Sequence, residues 1–115
     1  MLEIIKFWRF QMENLQSIEQ FETFKNDGAT LFVFSADWCG DCRFIDPFIP
    51  EVEEKFSHFR FIKVDRDQFI DLCIELGIIG IPSFLAYENG EELGRFVSKD
   101  RKTQDEIEDF ISNLK

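Results

Sequence analysis

The chain has 115 residues and a formal net charge of -10, from 13 basic and 23 acidic side chains, and 44% of it is hydrophobic, including 15 Phe. That length and apolar content suit one domain with its own core, while the acidity argues against nucleic acid and anionic lipid as partners. Three cysteines cannot close a disulfide framework, and no apolar stretch reaches the length of a membrane span.

Residues 1–11 form an N-terminal extension, apolar but interrupted by Glu3, Lys6 and Arg9. It lacks the ordered basic, apolar and small-residue sections of a secretory signal, so a cytoplasmic protein is expected. Two readings of the extension stand level: upstream read-through, with translation starting at Met12, or a short strand added to a sheet edge. Residues 12–115 are read as the folded domain, with a helical unit from Met12.

Ser17 and Gln20 have capping-box spacing ahead of Phe21 and Phe24, and that helix stops near Asn26-Asp27-Gly28. A buried strand follows at 30–35, then a loop and helix over 36–56 with Phe44, Ile45, Phe48, Ile49, Val52 and Phe56 at helical spacing. Pro47 lies inside that helix and is expected to kink it. Phe59 to Asp65 reads as a second strand, and Gln68 to Leu76 as a short helix ended by Gly77. Ser83 to Tyr87 and Glu92 to Val97 read as strands joined by an Asn89-Gly90 hairpin turn. Thr103 and Glu106 then cap a last amphipathic helix carrying Ile107, Phe110, Ile111 and Leu114. The order α-β-α-β-α-β-β-α predicts an α/β fold, a central mixed sheet flanked by helices and closed by an antiparallel hairpin.

Chemistry concentrates in Trp38-Cys39-Gly40-Asp41-Cys42. Two thiols two residues apart, after a strand and at the start of a helix, can open and close a disulfide without moving the backbone. The partial positive charge of a helix N-terminus favours the thiolate, which is the species that attacks disulfides. The bland reading, a zinc ligand pair, would need two further ligands. Only Cys73 and His58 remain, neither at a recognised spacing, so no metal is expected. Cys73, in Leu72-Cys73-Ile74, reads as a buried, inert thiol.

Residues 13–115 resemble thioredoxin. The resemblance rests on Ala36-Asp37-Trp38-Cys39-Gly40-Asp41-Cys42, on Pro47 five residues after the second cysteine, on Gly80-Ile81-Pro82-Ser83-Phe84, and on Glu88-Asn89-Gly90-Glu91. The Trp-Cys-Xaa-Asp-Cys site is also similar to that of small cytoplasmic thioredoxin-like proteins of Gram-positive bacteria. The chain departs from the family in three places. Asp41 stands where Pro is usual, Ser35 where Trp is usual, and Val33, six positions before the first cysteine, where thioredoxins bury an acid. Lys63 matches the lysine that partners that acid.

The expected roles follow. Cys39, nearer the helix start and on an exposed lip, is the nucleophile; Cys42, one turn inward, resolves the mixed disulfide. Asp41 either opposes the thiolate by its own charge, shuttles a proton in place of the missing acid, or is an ordinary first-turn acid favoured by the helix dipole. Lys63 belongs with it in tuning or proton transfer and needs a new neighbour, Asp37 or Asp41. The resemblance implies a cis Ile81-Pro82 bond, which would present Ile81 backbone to a client strand. Trp38 and Gly40 complete the client-binding surface. Lys99, Arg101 and Lys102 read as a solvated basic cluster.

The activity these residues imply is thiol-disulfide oxidoreduction on client proteins through a redox-active Cys39-Cys42 disulfide, by a monomer without a bound cofactor. Electrons would come from a flavin-dependent thioredoxin reductase or from low-molecular-weight thiols. Two alternatives stand beside it: a reductase dedicated to one client such as a peroxidase, and a non-catalytic interaction module with a redox-sensitive latch.

Overall fold

A computed structural model describes residues 12–114. The calls for residues 1–11, read-through or edge strand, lie outside the described residues. Along the chain run β1 (Glu13–Asn14), α1 (Ile18–Lys25), β2 (Ala29–Ser35), α2 (Gly40–Ile45), a 3-10 turn (Asp46–Phe48) and α3 (Ile49–Lys55). They are followed by β3 (Arg60–Asp65), α4 (Ile70–Leu76), β4 (Ser83–Glu88), β5 (Glu91–Phe96) and α5 (Gln104–Ser112). The strands form one sheet in the order β1-β3-β2-β4-β5. β1 and β2 flank β3 in parallel, whereas β4 runs antiparallel to β2 and β5 antiparallel to β4. This is the expected mixed α/β sheet with its closing hairpin.

β2 lies inside the sheet and is covered on both faces, so its apolar run is continuous rather than alternating. Its side chains still divide by the period of two. Phe32 and Phe34 join Phe21, Ile62, Val64 and Leu72 on one face, under α1 and α4. Leu31 and Val33 join Ile45, Ile49, Val52, Ile107 and Ile111 on the other, under α2, α3 and α5. The Asn89-Gly90 turn has positive φ at both residues, 50° and 91°, as a two-residue hairpin of this hand requires.

Three expectations are corrected. Met12 does not open a helical unit: β1 follows it, paired with Ile62 and Lys63 at the sheet edge, and α1 starts only after its Ser17 cap. The helix over 36–56 is not one kinked rod but α2, a 3-10 turn holding Pro47, and α3 with Pro50 in its first turn. Each proline lacks the N–H that a continuous helix would use, so the pair breaks the ladder where one would bend it. The helix read from Gln68 begins at Ile70, because the Asp65 side chain takes the N–H groups of Asp67 and Gln68 into a preceding turn.

Candidate active site

β2 ends at Ser35 and delivers the chain to α2 across Ala36-Asp37-Trp38. Cys39 is the N-cap of α2, and its sulfur accepts the Cys42 N–H at 3.2 Å, the position a capping oxygen usually fills. From the other side, the Cys39 thiol donates to the Ile81 carbonyl at 3.8 Å, and the Ile81-Pro82 peptide bond is cis. Ile81 arrives there because Gly80 lets the 78–82 segment lie against Ser98 and Lys99; a Cβ on Gly80 would collide with the Ser98 carbonyl oxygen. Cys39, Cys42 and Cys73 are all free thiols.

Cys39 does not stand on an exposed lip. It is 6% exposed and forms part of the lining of an open cleft of about 430 Å³, with Trp38, Gly40 and Asp41 on one side and Ile79, Gly80 and Ile81 on the other. Trp38 and Ile79 are the exposed apolar side chains of the cleft, at 58% and 67%; the Trp38 indole N–H donates to Asp67 at 2.6 Å while Arg66 lies 5.8 Å from its ring. Cys42 is buried beneath. Burial pushes its thiol up to about 11, the hydrogen bond with Cys39 adds to the rise, and the Ser35 hydroxyl pulls the other way.

Asp41 and Lys63 are not brought together. Asp41, in the first turn of α2, accepts from Arg101 Nε at 2.9 Å, and that guanidinium also covers the Phe44 ring at 4.4 Å. Lys63 lies in β3 beside Val33 of β2 and lines a polar pocket of about 360 Å³ shared with Ser35, Asp37, Asp65 and Gln68. The acid's usual place under Cys42 is apolar: Val33 is 1% exposed within the core. The basic cluster is corrected as well. Lys99 and Arg101 line or reach the cleft wall, but Lys102 is 1% exposed, with Nζ donating to the Ser98 and Asp100 carbonyls and standing over the Phe96 ring. Its long stem carries the charge through the packed layer to backbone acceptors, which a charge run does not reveal. Ser35, Arg101 and the Arg66-Asp67 pair were missed as site residues; they are far from the CxxC in sequence or carry no motif.

The thioredoxin family model matches residues 12–113. The chain belongs to the thioredoxin family. Among its relatives, a thioredoxin H-type from Fagopyrum esculentum is 39% identical over 80 residues, 69% of each chain. A mitochondrial thioredoxin-2 from Schizosaccharomyces pombe is 31% identical over 96 residues, 80% of this chain and 72% of its own. The crystal structure of thioredoxin from Trypanosoma brucei brucei superposes with a TM-score of 0.78 over 91% of this chain and 95% of its own, at 23% identity, which bears on the fold alone. Thioredoxins are protein-disulfide oxidoreductases that need no bound cofactor and use a redox-active dithiol. The CxxC pair of this chain fits that chemistry. Among the described residues no cluster of His, Cys, Asp and Glu is placed to hold a metal ion.

Proposed function

We propose that this thioredoxin reduces client disulfides with Cys39 as the attacking sulfur and Cys42 as the resolving one. The observation that carries the assignment is the placement of the Cys39 sulfur at the α2 N-cap, on the cleft, with the Cys42 N–H and the Ile81 carbonyl against it. The Cys39 thiolate attacks one sulfur of the client disulfide and releases the other as a thiolate. The Cys42 thiolate then attacks Cys39 in the mixed disulfide, freeing the second client sulfur and leaving Cys39-Cys42 oxidised. Trp38, Gly40, Ile81 and Pro82 hold the client: Trp38 and Ile81 offer apolar contact, and Gly40 leaves space beside the sulfur, with nothing within 4 Å of a Cβ there. A thioredoxin reductase or a low-molecular-weight thiol returns the electrons. The chain acts as a monomer in the cytoplasm on this reading.

A narrower client range is the second reading, and the Asp41-Arg101 pair on the cleft side of α2 favours it, because a fixed pair of charges there selects among client surfaces. The test is disulfide reduction with NADPH and a thioredoxin reductase, offering insulin and a small disulfide to the wild type and to Cys39→Ser. Turnover lost in the variant supports the assignment, and the contrast between substrates gives the breadth. A fully reduced wild type that turns over neither substrate, with either electron donor, contradicts it and favours the latch.

A further inference from the structure

Three charged side chains line the cleft, and two of them are already matched. Asp41 is held by Arg101 at 2.9 Å, and Arg66 by Asp67 at 3.5 Å. The third is Lys99, exposed and, among the described residues, without a carboxylate in ion-pair reach. It is the unmatched cation of the cleft, in a chain whose formal net charge is -10. Its place is fixed from within. The buried Lys102 ammonium donates to the Ser98 carbonyl at 3.2 Å and to the Asp100 carbonyl at 3.0 Å, on either side of Lys99, and the Asp100 N–H donates to Ser98 Oγ at 3.3 Å. Lys99 therefore stands at the tip of a closed turn. That turn abuts the other wall of the site: a Cβ on Gly80 would meet the Lys99 Cα at 2.7 Å, one residue from the Ile81 carbonyl that accepts the Cys39 thiol.

We infer that Lys99 selects clients, its ammonium receiving an Asp or Glu carboxylate that lies next to the cysteine under attack in an extended client segment. This rests on the assignment of Cys39 as the attacking sulfur and names the substrate class for it. At physiological salt, exposed charges more than about 8 Å apart are largely screened. The acidic surface of the whole chain therefore acts on a client's approach, and the unmatched charge of the cleft acts on the docked segment. Asp41 and Asp67 compete weakly for a client cation, because each already has a guanidinium. Trp38 and Ile79, exposed on the same cleft, offer apolar contact to the rest of the segment. A client lysine or arginine beside the cysteine meets the like charge of Lys99 and is disfavoured. One side chain thus supplies both attraction and exclusion.

The test uses two net-neutral peptide disulfides, one with Glu beside the cysteine and Lys at the ends, the other with these reversed. Neutral peptides remove the influence of the chain's net charge, so only the placement of charge differs. Reduced protein is mixed with each, and the second-order rate of thiol release is followed by acid quench and chromatography. The wild type is expected to favour the Glu-flanked peptide about fivefold at low salt, with the preference falling towards parity at about 1 M KCl. Lys99→Gln is expected to bring the two rates within about twofold, and Lys99→Glu to reverse the preference. Equal rates in the wild type, or a preference that Lys99→Glu leaves standing, overturn the inference. So does a Lys99 dependence confined to glutathione disulfide, which assigns the lysine to a small anionic disulfide instead. If the wild type reduces neither peptide, or Cys39→Ser releases thiol as fast, the assignment of Cys39 itself has failed and the client preference falls with it.

Discussion

Burial sorts the three thiols. Cys42 and Cys73 are each 1% exposed, and loss of solvent raises both to about 11. Near neutral pH both stay protonated, and neither sulfur meets the cleft as Cys39 does. Iodoacetamide at pH 7.5 is therefore expected to label Cys39 at least about tenfold faster than either, as read by peptide mass spectrometry over time. Glu53 is a buried carboxylic acid, 7% exposed and raised by burial from 4.5 to about 8. Between these values the folded chain holds a proton that the unfolded chain has released. The stability that Glu53 contributes is full below about pH 4.5 and is lost as pH rises through about 8. Glu53→Gln removes the charge and keeps much of the shape. It is expected to raise stability at pH 8 by roughly 1–3 kcal/mol and to flatten the slope across that window, measured by urea titration at several pH values.

At the scale of elements, the site is a junction of three segments, and glycine has different work at two of them. Gly80 allows the 78–82 segment to touch the backbone of Ser98 and Lys99, so Ile81 reaches Cys39. Gly40 opens α2 with empty space around it. Gly80→Ala is expected to cost about 1–3 kcal/mol and to weaken client reduction by displacing Ile81. Gly40→Ala should stay within about 0.5 kcal/mol in stability. Urea midpoints for the pair, with insulin reduction beside them, check the contrast; equal losses would mean that the Ser98 contact does not hold Ile81 in place. The last helix has both halves of its capping box, Thr103 Oγ1 accepting the Glu106 N–H at 3.2 Å and Glu106 accepting the Thr103 N–H at 2.9 Å. Thr103→Ala is expected to lower stability by about 1 kcal/mol in the same titrations.

For the whole molecule, local signals carried the fold far. The alternation of strand and helix, the Asn89-Gly90 turn and the Thr103 box each act within a few residues, and each is in place. The CxxC was legible for the same reason, since its spacing and its helix start are local. Illegible were the contacts made across the sheet. Arg101 meets Asp41 sixty positions away, Lys102 turns inward to carbonyls, and β1 is defined by its partner β3 rather than by its own two residues. Ser35 was read only as a missing Trp, because nothing in the sequence places it in the polar pocket with Asp37 and Lys63. The account's central claim is that Cys39 is the sulfur that meets the client, and trapping tests it most directly. The Cys42→Ser variant, mixed with oxidised insulin, should accumulate a mixed disulfide that peptide mass spectrometry places on Cys39. An adduct on Cys73, or none from a folded variant with its thiols reduced, would contradict the assignment.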